Sequence, residues 1–238
     1  MPLSPEQEWT LVACGLVAHA DGVLDAAELE QVLWMLDERL DGDDSAAWVE
    51  RLKSEDALRT HAKGLQLPPP LFSEDILAKA WRMALTDGRG TAREEEVHAE
   101  IAAMLGEDAG TVSGWRQTWS TQAEARSELV AGFAAHIAHA DGQITDAERE
   151  SFGTLLGRLP LAEGTTDAMK NLLDEPPEMM MLIGGFAGLA PEERRIAMLD
   201  LVPVVNADGR DEVARKAFIE LAGAIAVDAA EAERMLER

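Results

Sequence analysis

Cysteine occurs once in the 238 residues, at Cys14. One thiol allows neither an intramolecular disulfide nor a thiolate metal cluster. Basic residues are scarce as well: 21 lysines and arginines stand against 45 aspartates and glutamates, a formal charge of −24. The imbalance runs the length of the chain, with 10 basic and 23 acidic residues in 1–118 and 11 and 22 in 119–238. A surface of that sign repels phosphate backbones, so no nucleic-acid partner is expected. Long apolar runs are missing. The longest, Met179 to Ala190, is broken by Gly184, Gly185 and Gly188, and falls short of the roughly 20 residues that cross a bilayer. The N-terminus, MPLSPEQEWT, has no basic region leading into an apolar stretch, so it does not read as a signal peptide. Glycine-rich phosphate loops, Gly-x-Ser-x-Gly elbows and His-Glu-x-x-His helices are absent from the sequence, and no turnover is expected. These absences predict a cytoplasmic, non-enzymatic protein that does not span a membrane, with peripheral association left open.

What the chain does have is a core and a repeat. Hydrophobic residues make up 47%, enough to bury a core and unlike a disordered chain. Asp-Gly recurs in related contexts at His19-Ala-Asp-Gly22, Leu85-Thr-Asp-Gly88, His139-Ala-Asp-Gly142 and Asn206-Ala-Asp-Gly209. Asp21 and Asp141 lie 120 residues apart, Asp87 and Asp208 lie 121 apart, and Glu8/Glu128, Glu30/Glu150 and Asp108/Asp228 keep the offset of 120. Agreement of that kind points to a tandem duplication, with domains at 1–118 and 119–238 and a boundary near Trp119–Glu124.

Helical spacing surrounds each motif. Leu11, Gly15 and Ala18 precede the first, while Leu29, Val32, Leu33, Leu36 and Leu40 follow it. Leu129, Phe133 and Ile137 precede the third, with Phe152, Leu155, Leu156 and Leu159 after it. The second motif lies between Leu77, Ala80, Ala84 and Val97, Ile101, Met104, Leu105. The fourth lies between Leu199, Val202 and Phe218, Leu221, Ile225. Sustained period-two alternation is lacking, so the expected class is all-α. Breaks fall at Pro68-Pro69-Pro70, Pro176-Pro177 and before Pro191. Pro203 should kink a predicted helix or shorten its start.

The turns themselves allow two interpretations. Gly22 and Gly142 can take φ > 0 and end a helix. Asp25-Ala-Ala-Glu28, Thr91-Ala-Arg-Glu94 and Thr145-Asp-Ala-Glu148 carry the capping-box spacing that starts the next helix. The fourth turn, Asp208-Gly-Arg-Asp211-Glu212, is one residue shorter and has Arg215 where the capping Glu should stand. Asp21 to Glu28 and Asp141 to Glu148 also match the second half of an EF-hand loop. The earlier ligand positions hold Val17 and His19, or Ile137 and His139. Valine and isoleucine cannot ligate calcium, so independent EF-hands are not expected and any ion needs ligands from more than one turn.

The phrases from Ala18 to Glu28 and from Ala138 to Glu148 resemble the first motif of the tellurite-resistance TerB family. Leu85 to Glu94 and Asn206 to Glu212 are similar to its second. The likeness covers nearly the whole chain as two tandem copies. It implies small all-helical domains, a bacterial stress or tellurite-tolerance response, and acidic residues that hold metal. By that resemblance Asp21 and Glu28 face Asp87 and Glu94, while Asp141 and Glu148 face Asp208 and Glu212, with Asp25 beside the first set. Clustered carboxylates repel one another without a cation, so Ca²⁺ or Mg²⁺ is the implied cofactor.

Other residues have more ordinary expectations. His19 and His139 read as helix-end residues bonded locally rather than transition-metal ligands. Cys14 reads as an inert buried side chain. Trp34, Trp81, Trp115 and Trp119 could line a peptide groove but are more simply core. Met179-Met180-Met181, with Leu182, Ile183 and Phe186, reads first as core and second as an adaptable surface for a partner. The leading expectation is a cation-binding TerB-like protein. The alternative is a metal-independent interaction module or scaffold using its acidic and Met-rich surfaces, with an unidentified protein partner. A metal-dependent hydrolase using paired carboxylates ranks last.

Overall fold

The computed structural model describes residues 3–237 apart from positions 23, 25–28, 30–31, 34–35, 37–41, 87, 140–143 and 207–211. Among the described residues every regular element is helical, with twelve α-helices and two short 3-10 turns, and no helix is long and apolar enough to cross a membrane. The chain divides into two compact units, Met1–Thr121 and Gln122–Arg238.

In the first unit α1 (Pro5–Ala18) begins with a reciprocal cap. The Gln7 side chain accepts the Ser4 N–H at 2.9 Å, and Ser4 Oγ accepts the Gln7 N–H at 3.4 Å. Pro5 adds a φ already suited to a first turn. Every residue from Trp9 to Ala18 is buried. The single apolar face read from Leu11, Gly15 and Ala18 therefore understates this helix, which is enclosed on all sides. It packs chiefly on α4 (Ser73–Ala84), and also on α3 (Glu55–Ala62) and α5 (Ala92–Leu105). The remaining helix before α3 is α2 (Gly42–Leu52). Gly15 allows the close approach, because a Cβ there would meet Leu52 Cδ2 at 2.7 Å and Leu58 Cδ1 at 2.9 Å. Met104 departs from the expected core and is 37% exposed.

The C-terminus of α5 is a left-handed stop. Gly106 has φ +85°, Glu107 donates its N–H to Ala102 O at 2.9 Å, and Gly106 donates to Ala103 O at 3.1 Å. This pair of bonds is a Schellman motif. Asp108 then caps α6 (Ala109–Ala138) by accepting the N–H groups of Gly110 and Thr111 at 2.9 and 3.0 Å.

The second unit is built on the later residues of α6. Val130, Phe133 and Ile137 are buried with Phe152, Leu155 and Leu156 of α7 (Asp146–Arg158) and Phe186 of α9 (Met179–Gly188). Met198 and Leu201 of α10 (Pro191–Val205) and Phe218 and Leu221 of α11 (Glu212–Ala224) complete that core. The short α8 (Thr166–Lys170) links α7 to α9. Helix α10 continues through Pro203 to Val205, although proline cannot donate to the carbonyl of Leu199.

Two arginines organise this unit. Arg126, its side chain 6% exposed, pairs with Glu193, and its Nε donates to Asp200 Oδ2 at 3.3 Å. Arg194 donates to three carbonyls, Leu189 O at 2.9 Å, Ile225 O at 3.0 Å and Ala187 O at 2.7 Å. These lie at the ends of α9 and α11, where helix carbonyls have no partner within the helix. Helix α11 also stops in left-handed geometry, but with an alanine: Ala226 has φ +60°. Val227 donates to Ala222 O at 2.8 Å and Ala226 to Gly223 O at 3.4 Å. Asp228 caps α12 (Ala229–Leu236) by accepting the Glu231 N–H at 3.0 Å.

Candidate functional site

Helix α1 ends at Ala18, and His19 folds back at its C-terminus. The Nε2 of His19 lies 2.8 Å from Leu52 O, and its Nδ1 lies 3.4 Å from Gly22 O. His139, after α6, places its Nε2 2.6 Å from Leu173 O. Each imidazole thus ties the end of a helix to a carbonyl more than thirty residues on; these histidines are helix-end residues as expected, but their short bonds are long-range and not local. The Nε2 positions face carbonyl oxygens, so they do not act as metal ligands in this arrangement.

Asp21 and Gly22 are exposed beyond that helix end. Gly22 does not take the positive φ expected of it, since the positive-φ glycines among the described residues are Gly88, Gly106 and Gly164. The reason is local: His19, in an ordinary right-handed conformation, already closes α1. Gly88 does take the left-handed side, with φ +137°. Gly90, two residues on, sits against the Trp81 ring, and a Cβ there would meet its Cη2 at 2.6 Å. Trp81 in turn donates Nε1–H to Ser120 Oγ at 3.0 Å.

Helix starts are where the predicted carboxylates are found. Thr91 Oγ1 accepts the Glu94 N–H at 3.2 Å, while Glu94 Oε2 accepts the Thr91 N–H at 2.6 Å. Thr145 and Glu148 repeat this at 3.2 and 2.6 Å, and the Thr145 hydroxyl donates to Glu148 Oε2 at 2.8 Å. Both are full capping boxes, as the Thr-x-x-Glu spacing predicts. Glu94 is also buried, at 3% exposure. Glu212, the first residue of α11, is exposed. Asp25, Glu28, Asp87, Asp141 and Asp208 lie outside the described residues, and so do the pairings proposed for them and the conformation of Gly142. Among the described residues no group of three or more His, Cys, Asp or Glu side chains is placed to hold a metal ion.

Elsewhere the structure brings together groups that spacing alone did not flag. His98 is fully buried, with Nε2 2.9 Å from Leu77 O and its ring edge-on to Trp81 at 5.3 Å. Trp119 lies 6.2 Å from it and Trp115 6.0 Å from Trp119. Burial, only partly opposed by the bond to Leu77 and reinforced by the charge of Arg116, pushes the His98 pKa down to about 4. Cys14 is wholly buried, and burial raises its thiol to about 12, so it stays protonated and unreactive as expected. The Met179 segment needs correction. Leu182 and Phe186 are core, but Met180 and Met181 are 75% and 71% exposed, because α9 turns only one side inward.

Neither family models, nor curated proteins, nor solved structures give a match to this chain.

Proposed function

We propose that the chain is a non-catalytic, TerB-like helical protein, duplicated in tandem, that works by binding other macromolecules independently of metal. One observation carries the metal-independent part. Glu94 and Glu148, the carboxylates that would close an ion site at the end of their turns, each accept the N–H of their own threonine cap at 2.6 Å. Those helix starts are satisfied by protein groups. The duplication draws support from matched details 120 residues apart: the left-handed stops at Gly106 and Ala226, and the capping aspartates Asp108 and Asp228. A bacterial stress or tellurite-tolerance setting follows from the resemblance of the Asp-Gly motifs.

The second reading is divalent-cation binding by the Asp-Gly turns. It is favoured by the exposed Asp21 beside Gly22 and by the chain's charge of −24, which a bound Ca²⁺ or Mg²⁺ would offset. Calorimetric titration of chelator-stripped protein with Ca²⁺ and Mg²⁺, run beside thermal melts, separates the two. The expected result is no saturable heat and no change in Tm. Saturable binding with a raised Tm, removed by Asp21→Asn or Asp141→Asn, would replace the first reading by the second.

A further inference from the structure

Helix α9, MMMLIGGFAG, carries no charged or hydrogen-bonding side chain. Its inner side is fixed tightly: a Cβ on Gly185 would meet Leu129 Cδ2 at 2.4 Å, and one on Gly132 would meet Leu182 Cδ2 at 2.8 Å. Its outer side is bare. Met180 and Met181 are 75% and 71% exposed, and Gly184, Ala187 and Gly188 are exposed along the same helix. A Cβ at Gly184 or Gly188 would meet nothing within 4 Å, so the surface is smooth as well as apolar. In the first unit, α3 precedes α4 as α9 precedes α10, yet α3 exposes Asp56 and Thr60. The apolar outer side is thus particular to α9.

The charge around this face selects its occupant. Glu175 and Glu178 are exposed before α9 and Glu192 just after it, while Asp174, also exposed, is paired with Arg149 at 4.0 Å. Of the nearby cations, Arg195 is paired with Glu231 at 2.6 Å, while Arg194, held by three neutral carbonyls, leaves one positive charge beside the carboxylates. An apolar strip inside an acidic rim is complementary to a helix with apolar residues on one side and lysine or arginine around them. Methionine side chains adapt to the shape of such a partner. A second copy of this chain is disfavoured, because it would bring two molecules of charge −24 together rim to rim.

We propose that the outer face of α9 is the docking site for a basic amphipathic helix of a partner protein. The inference rests on the binding-module reading above and names its surface and class of partner. The test is titration of the full chain, in EDTA and again in Ca²⁺, with a synthetic helix of leucines at core spacing and lysines elsewhere. A counterpart with glutamate for lysine serves as the control. Saturable binding of the lysine peptide alone is expected, weakened about tenfold or more by Met180→Glu/Met181→Glu through lost apolar burial. The double variant adds negative charge, so attraction by charge alone would tighten instead of weaken. Both side chains are exposed, and an unchanged Tm confirms that the variant folds. Unchanged or tighter binding to the variant overturns the α9 assignment while the binding-module reading stands. Absence of binding to the lysine peptide, or self-association abolished by the same variant, also overturns it. Binding that needs Ca²⁺ but is lost in the variant retains α9 and removes only the independence from metal.

Discussion

Replacing Ala226 by glycine is expected to stabilise the protein, although glycine ordinarily loosens a helix end. Ala226 holds φ +60° at the stop of α11, where an L-residue with a Cβ pays roughly 1–2 kcal/mol. Its methyl is exposed, so removing it forfeits no buried area. Against this relief stands the greater backbone freedom of glycine in the unfolded chain, about 0.4–1 kcal/mol. The net gain is about 0.5–1 kcal/mol, or a rise in Tm of about 1–4 °C for a chain of this size. The equivalent stop in the first unit supplies the reverse experiment. A Cβ on Gly106 would meet nothing within 4 Å, so Gly106→Ala suffers only the backbone strain at φ +85° and should lose about as much as Ala226→Gly gains. Chemical denaturation and thermal melts of the two single variants and of the combined swap measure all three, with the swap close to wild type. A lowered or unchanged Tm for Ala226→Gly would refute the strained stop.

Two further outcomes follow from buried groups. His98 is held neutral by burial, with its pKa lowered to about 4 from about 6.5 in the unfolded chain; the stability it contributes is full above pH 6.5 and is lost as the pH falls toward 4, by about 3 kcal/mol. The difference between wild-type and His98→Phe stability curves isolates that loss from the titrating carboxylates, and a flat difference between pH 7 and 4 would count against it. Arg126→Ala should cost about 2–3 kcal/mol, at or below the low end for a broken buried pair, because Asp200 is 32% exposed and can rehydrate. Urea denaturation that leaves the midpoint unmoved would show the pair to be inconsequential.

Much of the helical layout was legible because its signals are local. Thr91-x-x-Glu94 and Thr145-x-x-Glu148 begin α5 and α7, and a capping box needs only residues three apart. The core positions Phe133, Phe152, Phe218 and Leu221 are buried as their 3.6-residue spacing predicts. What spacing could not convey is which faces meet. Trp9 to Ala18 are buried on every side because helices surround α1, while Met180 and Met181 remain outside because α9 is covered on one side only. Arg126, Arg194 and His98 were invisible for the same reason. Each has a partner 21 to 74 residues away, and no periodic pattern marks which polar residue of a helix will meet it. The candidate ion residues were legible as a motif, but in Glu94 and Glu148 the acid signals a helix start.

The reciprocal caps have a consequence for affinity. Any ligand that takes Oε2 of Glu94 or Glu148 competes with the threonine N–H that this oxygen already binds at 2.6 Å. Surrendering such a cap costs about 1 kcal/mol, which weakens an incoming ion about fivefold at each turn. The competition also makes the backbone a witness to occupancy. While the cap holds, the amide protons of Thr91 and Thr145 are shielded from exchange with water. An ion that pulled the carboxylate away would release those protons while the helices themselves stayed intact.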